Sequence, residues 1–414
     1  MNYDPRRVDG RALPEPIDIL LADVAIRVQL SKTDYDKACA RFETMQDWVD
    51  RKGSPLQGLV TLMYPQGSMA TGSTVARVSD KDEYDIDAMV VLNILRDSHP
   101  DAVLDALYRA IRGESGSRYY DKTIRHTRCV CVSYEDGMHI DLTPAVQVDE
   151  RMPRTSLIFH SKPEDQKVQS RLLLANPWGL ANWFNANTPQ DPDFASFYEH
   201  RALDYDLSMV VARAPADPGP DQEPAYRKSR ALIALQLIKR WRNVLFERRD
   251  RANLRRPPSV LLTKLIADYA NQTRTLSEEV EHQARCLLTR LEHDKRRGKL
   301  ISEVNPCCQE DVLTDRWPAG QPDQDLMIDD LSDFVAKLVR LRRGDLSLAE
   351  MSTILEDLFG TRPARQAVES YVRSAQPGGN RFVPGSGRIL GGAGGSLATS
   401  SAARQIPRHD FFGD

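Results

Sequence analysis

The sequence predicts a mixed α/β (α+β) protein in two lobes, with a sheet-bearing lobe first, a helical lobe second and a glycine-rich tail. Three observations point to this. Strand-like runs alternate with helices between about residues 55 and 150. Strong helical periodicity takes over after 226. Of the 23 glycines, 9 fall in the last 39 residues, a composition that cannot support a packed core. At 414 residues the chain has room for such a division. It is drawn here as 1–215, 216–375 and 376–414.

In chain order, residues 18–29 and 34–51 read as two amphipathic helices, with Ser31 and Thr33 in the break, where their side-chain oxygens can cap the second helix. LVTLMY (59–64) is a short β-prone run leading into Pro65 and GSMATGS. YDIDAMVVL (84–92) alternates and then turns fully apolar, as a half-buried strand does. Residues 101–112 suit a helix. RCVCVSY, EDG and MHIDLTP read as a β-hairpin turning at Asp136-Gly137. APADPGPDQEP (213–223) is a loop by composition. Helical periodicity then marks 226–248, 260–272, 277–296, 327–343 and 347–358.

Charge and composition exclude several functions. With 56 Lys+Arg against 59 Asp+Glu the net charge is −3, which argues against a general duplex-DNA binder. No apolar run approaches the ~20 residues of a membrane span, and the first residues lack a signal-peptide core. Six cysteines in so long a chain do not make a disulfide scaffold, so a reducing, cytoplasmic setting is expected.

The chemistry concentrates in Gly67-Ser68 and Asp85-Ile86-Asp87. On a strand, residues two apart face the same way, so Asp85 and Asp87 project together while Ile86 faces the other side. Like charges so placed call for a cation, and Mg²⁺ suits hard oxygen ligands while leaving positions for phosphate and water. Asp141, on the return strand of the hairpin, joins them if that strand lies beside the first. Three carboxylates around two Mg²⁺ ions suit in-line phosphoryl transfer. Gly67 lets backbone approach phosphate closely, and Ser68 can donate to it.

The order of these motifs resembles the cGAS/DncV-like nucleotidyltransferases (CD-NTases) of bacterial CBASS anti-phage defence, in the DNA polymerase β-like superfamily. The resemblance runs from about 18 to 375. It is sharpest at PQGSMATGSTV, DEYDIDAMVVL and HIDLTPAV, with weaker echoes at NPWGLANWF, LIKRWRN, PPSVLLTKLIADYA, NPCCQEDVLTDRW and LEDLFG. It implies a polymerase β-like core sheet closed by a helical lobe. It also implies ATP and other NTPs as substrates and a cyclic di- or trinucleotide messenger that activates an antiviral effector. Asp85, Asp87 and Asp141 would then be catalytic and Mg²⁺-binding, with Ser68 on the triphosphate. Two alternatives are a transferase acting on an RNA or protein acceptor and a non-catalytic nucleotide-binding regulator.

Gln236, Lys239, Arg240 and Asn243 form a polar stripe at helical spacing. The resemblance gives Lys239 to the donor triphosphate; the plainer alternative is a solvated helix face. His282, Cys286, Cys307 and Cys308 are zinc candidates, although H-x3-C…CC matches no standard pattern and buried cysteines acting as small hydrophobes are the favoured reading. Cys129 and Cys131 read as core. The arginines at 248, 249, 251, 255 and 256 form a basic cluster that could meet RNA or phosphate, although a solvated surface is the plainer reading, and the insertion SDKDEY (79–84) reads as an exposed extension. By the resemblance, the tail, ending in Phe411-Phe412, is a flexible handle for CBASS ancillary proteins; the alternative is a tail with no partner.

Overall fold

The computed structural model describes residues 15–78, 84–148, 151–162, 170–209, 228–248, 251 and 253–375, together with short strands at 7–8, 11–12, 381–383, 388–390 and 404–405. A two-residue ribbon, β1 (Arg7–Val8) with β2 (Arg11–Ala12), precedes helices α1 (Pro16–Val28) and α2 (Lys32–Val49). Ser31 caps α2 by accepting from the Asp34 amide.

The central sheet is built from β3 (Val60–Gln66), β4 (Tyr84–Leu92), β5 (Thr123–Arg125), β6 (Val130–Ser133), β7 (Met138–Gln147), β8 (Ser156–His160) and β9 (Arg171–Ala175). Its order is β3-β4-β7-β6-β5, with β8 pairing the far end of β7 and β9 pairing β8. Only β4 and β7 run parallel; the other pairs are antiparallel. The hairpin turn expected at Asp136-Gly137 forms, with Gly137 at φ 77, where glycine has no steric cost.

Alternation along β4 and β7 gives this sheet two different faces. Ile86, Ala88, Val90, Ile140 and Leu142 pack against α2 and α4 (Pro100–Arg112), forming one core with Phe42, Met45 and Leu104. His139, Asp141 and Thr143 fall on the opposite face, with Asp85 and Asp87.

The second core is helical. It gathers α7 (Arg230–Arg248), α8 (Ser259–Tyr269), α9 (Leu276–Arg296), α10 (Gln321–Arg342), α11 (Leu348–Phe359) and α12 (Thr361–Ala375). Helix α1 joins it, as do Phe184 of α5 (Pro177–Asn187) and Phe194 and Tyr198 of α6 (Pro192–Met209). Helix α7 is buried on nearly every side, which makes it the axis of this lobe. Trp241 stacks on Phe334 with centroids 4.4 Å apart.

A small hairpin, β10 (Val304–Asn305) with β11 (Cys308–Val312), leaves the helical lobe between α9 and α10 and leans on β9. Buried Asn305 donates to the Asn176 carbonyl and to Asp311, which also accepts from the Asn176 amide. Arg128 and Asp315 form an ion pair between the lobes.

Helices α5, α6 and α12 and strands β5 and β8–β11 add to the predicted elements, while α7 starts at Arg230. The tail contains three short strands, β12 (Arg381–Val383), β13 (Arg388–Leu390) and β14 (Arg404–Gln405), that pair only with one another. The loop 213–223, residues 79–83 of the insertion and Phe411-Phe412 lie outside the described residues.

Candidate active site

Parallel pairing of β4 with β7 sets Asp87 directly beside Asp141 and Asp85 beside His139. All three carboxylates line one cavity of about 520 Å³ between the lobes. Gly67 and Ser68, on the four-residue helix α3 (Gly67–Ala70), line it too. Gly67 has φ +60, and a Cβ there would lie 2.5 Å from Oδ2 of Asp87. Only glycine lets the backbone come this close to the carboxylate. Among the described residues the Ser68 hydroxyl makes no protein hydrogen bond, so it can donate to a ligand.

Burial first, then the charges of Asp85 and Asp141, push the Asp87 carboxyl up to about 7, against an ordinary 3.8. Oδ1 of Asp141 is buried with no hydrogen-bond partner. Among the described residues no three His, Cys, Asp or Glu side chains hold a metal cage by themselves, these aspartates included. Mg²⁺ does not need one, because it takes one or two carboxylates and completes its shell with phosphate oxygens and water. Crowded hard-oxygen donors and an orphaned buried oxygen fit such an ion.

Lys239 also lines the cavity, buried to 4%. Its Nζ donates to the Ser73 carbonyl at 2.7 Å and to Ser73 Oγ at 3.4 Å. Burial and Arg242 bring the ammonium down to about 7, while Asp87 and Asp85 oppose the fall. The rest of the polar stripe is not a solvated face. Gln236 donates to the Thr74 carbonyl. Arg240 donates to the carbonyls of Ala76, Arg77 and Phe359. The α7 axis therefore straps down the segment that follows Gly67-Ser68.

Several minor expectations are corrected. Cys131 is buried, as expected of a core residue, but opposite Asp141 on the carboxylate face, whereas Cys129 is only half-buried and lines the cavity. The zinc candidates do not assemble. His282 and Cys286 meet each other on α9 at 3.4 Å, whereas Cys307 donates to the Gly179 carbonyl and Cys308 to Glu310. Nor is the arginine run simply solvated. Arg251 is buried against Asp330, Arg248 binds Asp357 and Glu356, and Arg256 lines the cavity; Arg249 is outside the described residues. Arg128, Arg242 and Arg316 also line it. No local pattern singled out Arg128 or Arg316 as cavity residues, because Arg128 meets its ion-pair partner Asp315 only when the lobes come together.

Residues 20–158 match the family described as the Second Messenger Oligonucleotide or Dinucleotide Synthetase domain. Across its full length the chain is 33% identical to the cyclic dinucleotide synthase CdnG of Bradyrhizobium diazoefficiens, covering 99% of that protein. It is 23% identical to the c-di-GMP synthase of Roseivirga ehrenbergii, over 95% of this chain and 96% of that one. The solved structure of B. diazoefficiens CdnG in complex with GTP superposes with a TM-score of 0.73 at 31% identity, covering 86% of this chain and 99% of that chain. Escherichia coli MS115-1 CdnC with ATP, at 17% identity and a TM-score of 0.51 over 84% of this chain and 98% of that one, shares the fold.

Proposed function

Because the chain belongs to the cGAS/DncV-like nucleotidyltransferases and has their polymerase β-like fold, we propose that it joins two nucleoside triphosphates into a cyclic dinucleotide messenger. It is an enzyme, a nucleotidyltransferase. The observation that carries the reading is the set of Asp85, Asp87 and Asp141 on one sheet face, in a cavity shared with the unpartnered Ser68 hydroxyl. Relatives named for cyclic dinucleotides, one of them in complex with GTP, make GTP the first substrate to test.

In this reading Asp85 and Asp87 would hold two Mg²⁺ ions and Asp141 would complete the site. Such ions would neutralise phosphate charge and lower the pKa of the attacking hydroxyl. Ser68 donates to the donor triphosphate, and Gly67 keeps the backbone close enough for it to do so. Lys239 adds positive charge from beneath and holds the Ser73 loop in place. The acceptor ribose oxygen bonds to the α-phosphorus, the bond to the β-phosphate oxygen breaks, and pyrophosphate leaves. The hydroxyl proton would pass to the Asp141 carboxylate, whose buried Oδ1 has no hydrogen-bond partner among the described residues. A second such transfer closes the ring. We further place the enzyme in the cytoplasm, in a CBASS-type defence system, with the tail as the segment that meets ancillary proteins.

Incubation of the purified protein with Mg²⁺ and labelled NTPs, singly and together, tests the reading. A phosphatase-resistant cyclic dinucleotide is expected, and it is lost in the Asp85→Ala/Asp87→Ala double variant. A product that forms only when an RNA or protein acceptor is added would overturn it, as would nucleotide binding with no turnover.

A further inference from the structure

Besides Arg242, three guanidinium groups line the cavity: Arg128 from the sheet lobe, Arg256 and Arg316 from the helical lobe. Arg316 occupies the turn 313–317 after β11, and that turn is firmly built. Leu313 and Trp317 are buried on either side of it. The Leu313 amide donates to the Glu303 carbonyl, and the Glu303 amide donates to Thr314 Oγ1. Arg255 donates to the Arg316 carbonyl. The backbone is therefore fixed, while the Arg316 side chain is exposed and makes no hydrogen bond or ion pair among the described residues.

The nearby carboxylate is already engaged, since Asp315 pairs with Arg128. Burial, Arg128, Arg171 and Arg316 together hold His160 down to about 4, so this imidazole stays neutral among cations. Arg316 therefore brings an unpaired positive charge to the cleft that it lines. It lies near the carboxylates. Cys131 is opposite Asp141, and Cys129, just before β6, lines the same cavity. The Cys129 thiol is pushed up by burial, Asp141 and Asp87 and pulled down by Arg316, so it feels both groups.

Resting on the reading above, we propose that Arg316, flanked by Arg128 and Arg256, forms an anion subsite for the 5′-triphosphate of the acceptor nucleotide. Two nucleoside triphosphates must share this cleft, and the donor's phosphates belong with Ser68 and the aspartates. The acceptor brings its own negative charge towards three carboxylates and needs a separate cationic hold. A planar, unpaired guanidinium on a rigid turn suits phosphate in two-point geometry.

The test separates donor from acceptor. Labelled 2′,3′-dideoxy-GTP can donate but cannot accept, and it is offered with either GTP or guanosine as acceptor; another base replaces guanine throughout if the product assay selects it. The wild type is expected to use GTP over guanosine. Arg316→Gln lowers acceptor kcat/KM for GTP by about tenfold or more and leaves guanosine use unchanged. Arg316→Lys recovers part of the loss. Equal loss with both acceptors, an unchanged preference, or a raised KM for the dideoxy donor alone overturns the subsite. If the wild type makes no labelled dinucleotide from either acceptor, the synthase reading itself fails, and that outcome is distinct from the others. Thermal melting of both variants at the wild-type midpoint excludes misfolding.

Discussion

At the scale of single residues, Asp87 carries the sharpest consequence. Its carboxyl, raised from 3.8 to about 7, keeps a proton that the unfolded chain has already lost across that window. The folded state therefore binds more protons between pH 4 and 7, and metal-free stability falls as pH rises through that range. Asp87→Asn removes the like-charge burden, so its melting midpoint at pH 8 should rise, by roughly 1–2 kcal/mol in stability, while nucleotidyl transfer drops at least about a hundredfold. Calorimetry at pH 5 and pH 8 with a product assay checks both. The same carboxyl must lose its proton to meet a cation, so apparent Mg²⁺ affinity should strengthen as pH rises from 6 to 8, with proton release detectable by titration in two buffers. Gly67→Ala adds a Cβ 2.5 Å from Oδ2 of Asp87 at a φ of +60; it should lose most activity while keeping most of the fold, as circular dichroism would show. Much of this was legible in sequence, because a D-x-D pattern on an alternating strand dictates a shared face. That Asp141 stands beside Asp87 required the parallel pairing of β4 and β7, which no local pattern encodes.

At the scale of elements, α7 shows how far periodicity reaches. Its apolar positions announced a buried helix, and the polar stripe of Gln236, Lys239, Arg240 and Asn243 was visible at helical spacing. What the stripe does was hidden, because its partners lie some 160 residues earlier: the carbonyls of Ser73, Thr74, Ala76 and Arg77. Buried carbonyls without donors are costly, so the stripe holds the segment after Ser68 in one conformation. Arg240 also takes the Phe359 carbonyl at the end of α11. Arg240→Met should therefore destabilise the protein by about 2–3 kcal/mol. In the surviving folded enzyme, KM for the donor nucleotide should rise more than kcat falls, because the Ser68 segment loses its brace. A variant that lowers the melting midpoint while leaving KM untouched would assign Arg240 to packing alone. Asn305→Ala tests the interlobe hairpin in the same terms. It strips a buried donor from Asp311 and from the Asn176 carbonyl, and a loss of about 1–3 kcal/mol is expected by denaturant titration.

At the scale of the whole molecule, the near-balanced charge now has a local meaning. One cleft is lined by carboxylates and guanidinium groups from both lobes, so a net of −3 conceals a dense local concentration of both charges. Composition could not reveal that concentration, because Arg128 and Asp315 meet only when the lobes do. Composition did mark the glycine-rich end. The described packing of both cores stops at α12, whose Ala364 and Ala367 are fully buried in the helical core, and β12–β14 pair with one another and with no strand of the central sheet. Segments that add nothing to a core tolerate removal. A chain ended after Ala375 should therefore make its nucleotide product at a rate within about twofold of full length and melt within about 2 °C of it. If the tail serves as a handle, pull-down of proteins from the native host would fail with the shortened chain while product formation in vitro persists. Loss of product in vitro would instead place the tail within the enzyme, either as a lid on the cleft or as part of the fold.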